Sequence, residues 1–97
     1  MSAYVIAQIE VTDPATYGEY TKDVLTTITA HGGRFLVRGG KVEVLEGDIT
    51  PKRVVVLEFP DVAALKRWYR SPEYQAILPL RKRASKGSLF LVEGAAA

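Results

Sequence analysis

HGGRFLVRGGKVEVLEG, residues 31–47, carries two diglycine pairs with a short apolar run between them. Glycine reaches positive φ without steric cost, so each pair marks a sharp change of chain direction. The spacing predicts a helix end at His31-Gly32-Gly33 and a strand over Arg34–Arg38. It further predicts a bulge or bend at Gly39-Gly40 and continuation of the strand over Lys41–Glu46. Arg38 stands between Val37 and Gly39, where a planar two-pronged donor can hold a carboxylate. A small-anion site is expected there.

Upstream, Ala3, Val5, Ala7, Ile9 and Val11 alternate with Tyr4, Ile6, Gln8 and Glu10, the period of a strand. Asp13-Pro14 supplies a cap and a first helical residue, and Tyr17, Tyr20, Val24 and Ile28 follow as one helical stripe. Downstream, Gly47–Pro51 reads as a turn and Arg53–Phe59, RVVVLEF, as a strand. Pro60-Asp61 opens a second helix with Ala64, Leu65, Trp68 and Tyr69 on its apolar face. Ser71-Pro72 stops and restarts it, Tyr74, Ile77 and Leu78 continue the face, and Pro79 is expected to interrupt it before a last turn over Leu80–Ala84. Ser88–Val92 is the last strand. The order β-α-β-β-α-β predicts an α+β, ferredoxin-like fold: a four-stranded antiparallel sheet with two helical regions on one face. A single domain over residues 1–94 with a flexible tail at 95–97 is expected.

Thirteen basic and eleven acidic residues leave a net charge of +2, too little to point to a nucleic-acid partner. The basic run Arg81-Lys82-Arg83 with Lys86 lacks interleaved aromatics. No cysteine excludes a disulfide framework or thiolate chemistry, and a single histidine argues against a zinc or haem site. No metal and no cofactor is expected. The N-terminal MSAYVIAQIEV reads as a strand rather than a leader, and no apolar run approaches the roughly 20 residues of a membrane span. A cytoplasmic protein without a membrane partner is the expectation.

The strands are apolar on both sides. Val54 and Val56 oppose Val55, Leu57 and Phe59; Leu89 and Leu91 oppose Phe90 and Val92; Tyr4 and Ile6 oppose the alanine-valine side of the first strand. Helices on one face leave the other side's apolar residues in water, forgoing about 1.5 to 3 kcal/mol for each large side chain. A second copy placed sheet against sheet across a twofold axis removes that exposure, so a homodimer is expected.

Several short motifs together resemble one family. They are Asp13-Pro14 with Tyr17 and Tyr20, His31-Gly32-Gly33-Arg34, Val37-Arg38-Gly39-Gly40 and Glu43-Val44-Leu45-Glu46-Gly47. Glu58-Phe59-Pro60, Trp68-Tyr69-Arg70-Ser71-Pro72-Glu73-Tyr74 and Arg81 complete the set. Over roughly residues 3–94 the chain resembles the domain-of-unknown-function family 1330, a branch of the dimeric α/β-barrel superfamily. The resemblance implies the ferredoxin-like fold and a homodimer, and no particular reaction. The superfamily's cofactor-independent oxygenases, lactone isomerases and haem-degrading enzymes would be carried over by fold analogy alone.

Five residues are candidates for a site. His31, the one imidazole of the chain, is a candidate general acid or base; the other reading makes it a cap on the helix carbonyls. Arg38 either pairs internally, with Glu46 or Glu58, or holds a ligand carboxylate. Trp68 and Tyr74 are core residues or a binding wall, Tyr74 with a phenol that needs a partner. Arg81 lies seven residues beyond Tyr74, on the same helical face if Pro79 only kinks the helix. The expected function is binding, or cofactor-free transformation, of a small acidic or phenolic metabolite, with His31 and Tyr74 catalytic and Arg38, Trp68 and Arg81 ligand-binding. The alternative is a non-catalytic dimeric module in which the same residues pack and pair. Glu10 and Glu58 are a further candidate carboxylate pair.

Overall fold

Period-two alternation builds the first element: β1 spans Ala3–Val11, with Ala3, Val5, Ala7 and Ile9 buried and Tyr4 and Ile6 half-buried on the other side. The computed structural model describes residues 1–95. The Asp13 carboxylate accepts the Thr16 amide at 3.2 Å and starts α1, Pro14–Thr29, with Pro14 in its first turn. Tyr17, Tyr20, Val24 and Ile28 are its buried stripe. The helix closes where the Gly33 amide donates to the Ile28 carbonyl at 3.0 Å, with Gly32 at φ 77°. A Cβ at Gly33 would collide with Phe59 and Ile28, so glycine lets the turn lie flat on the core.

Strand β2 spans Arg34–Arg38 and pairs antiparallel with β3, Arg53–Phe59. Two expectations are corrected here. The register shift falls between Phe35 and Val37, not at Gly39-Gly40. Lys41–Glu46 also forms no strand, despite its alternation. The last bond of the hairpin runs from the Gly39 amide to the Val54 carbonyl at 2.9 Å, and Gly39 at φ 70° then turns the chain away. Beyond it β3 has no residue left to pair with, and a strand pattern without a ladder partner stays irregular. Val42, Val44, Leu45 and Ile49 of this connection are exposed.

Asp61 caps α2, Val62–Arg70, by accepting the Ala64 amide at 2.7 Å. Ser71 then ends one helix and begins the next. Its hydroxyl donates to the Trp68 carbonyl at 2.8 Å and accepts the Tyr74 amide at 3.2 Å. Helix α3 runs unbroken over Pro72–Ala84, so the expected interruption at Pro79 is corrected. Gln75 and Pro79 are both exposed, and the Gln75 carbonyl that loses its donor has water to bond instead. Strand β4 covers Ser85–Glu93, longer than the expected Ser88–Val92, because β1 offers a partner along its whole length.

The sheet order is β2-β3-β1-β4, every pair antiparallel, with the helices on one face: the ferredoxin-like α+β arrangement. The core is the seam between sheet and helices, centred on Val5, Ile28, Phe59, Trp68 and Tyr74. The Cα envelope of 34 × 32 × 16 Å has the thickness of one sheet and one helical layer. On the uncovered face Phe90 and Val92 are 44% and 41% exposed. Glu10 and Glu58 do not meet: Glu58 lies opposite Tyr4, six residues from Glu10 along β1 and so roughly 20 Å away. The Gly94 amide donates to the Ser2 carbonyl at 2.7 Å, immediately before the expected tail, of which Ala96 and Ala97 lie outside the described residues. No helix among the described residues is long and apolar enough to cross a membrane.

Candidate functional site

The double cap at Ser71 fixes how α2 meets α3, and it brings Trp68 and Tyr74 together with ring centroids 4.2 Å apart. Trp68 is held further by its indole Nε1, which donates to Thr27 Oγ1 of α1 at 3.0 Å. Tyr74 is fully buried, so its hydroxyl must find partners inside the protein. It has two. The Tyr20 hydroxyl of α1 lies 2.9 Å away, and Arg81 Nε donates to it at 3.3 Å. Arg81 reaches that oxygen because α3 continues through Pro79 and presents residues two turns apart on one side.

This cluster has a defined electrostatic character. Burial, and then the neighbouring Tyr74 oxygen, push the Tyr20 phenol well above its ordinary value of 10.0, so it stays protonated at neutral pH. Burial opposes the charge on Arg81, but the adjacent Tyr74 and Tyr20 oxygens outweigh it and the pKa is raised. The guanidinium stays charged inside the protein.

Tyr20, Trp68 and Arg81 line a cavity of about 40 Å³ between the helices and the inner face of the sheet. That volume holds about three waters. Its walls are mostly aliphatic and aromatic, and two more arginines stand on the sheet side, Arg38 from β2 and Arg53 from β3. Arg38 pairs across the ladder with Val55, and Arg53 precedes Val55 by two residues on the same face. The two are therefore diagonal neighbours, with Cβ atoms about 7 to 8 Å apart. Their head groups diverge: the Arg38 guanidinium lies 4.3 Å from the Phe35 ring centre and that of Arg53 lies 5.5 Å from the Tyr17 centre.

No carboxylate lines this cavity. Among the described residues the one ion pair is Arg34–Glu58, at 2.7 Å on the other side of the sheet. Glu58 also accepts from the Tyr4 hydroxyl at 3.2 Å, and the Arg34 hydrogen bond holds its carboxyl below the usual range. Glu58 is thus engaged with Arg34 rather than Arg38, and Glu46 makes no ion pair with Arg38. Neither internal partner considered for Arg38 is present.

Of the five candidate residues, Arg38, Trp68 and Arg81 line the cavity, and Tyr74 stands behind it through its bonds to Tyr20 and Arg81. His31 is elsewhere: its Nδ1 lies 3.0 Å from the Thr27 carbonyl at the end of α1, and it does not line the cavity. Two residues of the site went unselected in the sequence. Arg53 carried a usable signal, since strand parity puts it on the inner face with Val55, Leu57 and Phe59. Tyr20 carried none that separates it from the rest of its apolar stripe. Among the described residues no group of three or more His, Asp or Glu side chains is placed to hold a metal ion.

The fold is shared with solved proteins of low sequence identity. A protein of unknown function from Rhodopseudomonas palustris is 18% identical with a TM-score of 0.78, over 99% of this chain and 84% of that one. The cofactor-independent oxygenase SnoaB from Streptomyces nogalater is 13% identical with a TM-score of 0.65, over 99% and 95%. HapK from Hahella chejuensis is 16% identical with a TM-score of 0.61, over 98% and 94%. No curated protein matches the chain. The family model described as domain of unknown function DUF1330 matches residues 2–95, and the chain belongs to that family.

Proposed function

We propose that the protein binds a small organic acid or phenol in the cavity between sheet and helices. One observation carries the reading: Arg38, Arg53 and Arg81 all border a space that no carboxylate lines. Like charges repel and lower stability, and such a cluster fits a site that receives negative charge from outside. Arg38 and Arg81 orient the anion, and Trp68 forms the apolar wall. Arginine donates only, so the Tyr74 oxygen accepts from Arg81, and the Tyr20 hydroxyl bonded to Tyr74 stands at the cavity wall. Tyr74 stands behind the wall, so it acts in any proton transfer to a bound phenol or acid through the Tyr20 hydroxyl. The activity of SnoaB, a cofactor-independent oxygenase, is compatible with a site of this kind. The uncovered sheet face is assigned to a second copy of the chain, making the functional unit a homodimer.

The alternative, a non-catalytic dimeric module, draws on the cavity's size. Its 40 Å³ is well below the roughly 150 Å³ that accommodates benzene, so a ligand larger than a short acid must keep part of its body at the mouth. A melting-temperature screen over short aliphatic and aromatic acids separates the two. At a hundredfold excess over Kd a bound acid adds about 2.7 kcal/mol, a rise of roughly 10 °C or more. Arg38→Ala is expected to shrink the rise while changing the unliganded stability by less than about 0.5 kcal/mol, because Arg38 is exposed. A panel on which no acid moves the curve contradicts the binding reading and supports the module.

A further inference from the structure

Arg53 is the unexplained member of the cluster. Its Nε is buried and has no hydrogen-bond partner, which is rare for a group that carries charge. The chain accommodates this guanidinium deliberately in steric terms: Gly39 lies against Arg53 Nη1, and a Cβ there would collide with it. Gly39 also sits at φ 70°, so both its backbone and its bare Cα serve the same arrangement. Across the ladder, Arg38 is the diagonal neighbour on the same face, with its own head group turned toward Phe35. Two like charges on adjacent strands are unfavourable side by side, and no acidic side chain lines the cavity to offset them.

The opposite wall holds a separate cationic group. Arg81 comes from the helical layer, tied to Tyr74 and hence to Tyr20, whereas Arg38 and Arg53 come from the sheet. Positive charge therefore faces the cavity from both layers. One carboxylate can satisfy one wall and leaves the other uncompensated.

We infer that Arg53, together with Arg38, forms a second anion subsite, and that the ligand carries two acidic groups separated by a short apolar spacer. One acid group meets Arg81 and the Tyr20 hydroxyl; the other meets the Arg38–Arg53 pair, where the Arg53 Nε finds its acceptor. Apolar walls suit the spacer, and because the cavity holds only about three waters, the spacer is a few carbons and part of the diacid lies at the mouth. This rests on the binding reading above and adds the charge and shape of the ligand to it.

The test compares succinate with butyrate, which have the same chain length and differ by one carboxylate. Trp68 is the sole tryptophan and lines the cavity, so its fluorescence reports occupancy in the full-length protein. Succinate is expected to bind about tenfold or more tightly than butyrate, as a second charge-assisted contact would give. Arg53→Gln is expected to collapse that ratio toward one, and Arg81→Gln to weaken both acids. In the unaltered protein, affinity for succinate should also fall more steeply with added salt than affinity for butyrate, a readout that needs no variant. Equal affinities for the two acids, or a ratio that survives Arg53→Gln, overturn the second subsite while leaving acid binding in place. If neither acid binds, both the inference and the binding reading fall.

Discussion

At the scale of single residues, the site depends on groups whose environment differs from what their type suggests. Tyr20 reads in the sequence as one more large residue on a helical stripe, and Tyr74 as another; only the tertiary fold reveals a phenol pair 2.9 Å apart with Arg81 on its far side. Arg38 was legible because a charge between an apolar run and a diglycine is out of place. Arg53 was half-legible, its side of the strand set by parity and its unpaired nitrogen set by packing. The phenol of Tyr20 has a direct consequence for stability. Its folded pKa lies above the unfolded value of 10.0, so its contribution is complete below pH 10 and is lost as the pH rises, when the unfolded chain ionises first. Alkaline unfolding of the natural chain should therefore steepen above pH 10 by up to about 1.4 kcal/mol per pH unit relative to Tyr20→Phe. Denaturant titrations at pH 8 and pH 11 measure it. Near neutrality the same substitution should cost about 1 kcal/mol for the lost buried hydrogen bond. Equal slopes for the two proteins would mean that Tyr20 is not shielded as described.

At the scale of elements, local chemistry and tertiary partners had different weights. Caps were readable: Asp13, Asp61 and Ser71 each sit where an acidic or hydroxyl side chain precedes a helical stripe, and each accepts the expected amide. Strand pairing was not readable from one segment alone. Lys41–Glu46 alternates as well as a true strand does, yet β3 ends at Arg53 and gives it nothing to pair with. Pro79 misled in the other direction, because helix breaking depends on whether the orphaned carbonyl can reach water. The sheet's two-sided apolar pattern was legible, and its outer face remains uncovered by any helix. Light scattering at micromolar concentration should give twice the 10.7 kDa chain mass. Phe90→Glu, which places a charge beside Ile6 and Val92, should shift the protein to monomer with its circular dichroism unchanged. A monomer in the unsubstituted protein would leave the outer face without the partner assigned to it.

At the scale of the whole molecule, two layers create two inequivalent surfaces. The seam between them is a packed aromatic core that opens into an arginine-lined cavity; the outer sheet face is an apolar surface. Composition conveyed none of this asymmetry, since a net charge of +2 hides three arginines on one small space. The family is one of unknown function, so the chemistry has to be read from the cavity itself. The central claim is that these guanidinium groups receive an external acid. Proton–nitrogen correlation spectra of the arginine Nε–Hε groups, recorded as butyrate is added and compared with equal sodium chloride, test it most directly. The account predicts that the Arg81 signal, and those of Arg38 and Arg53 to a lesser extent, move saturably while Arg34, Arg67, Arg70 and Arg83 hold still. Spectra in which no arginine responds, or all seven drift together as they do with salt, would contradict it.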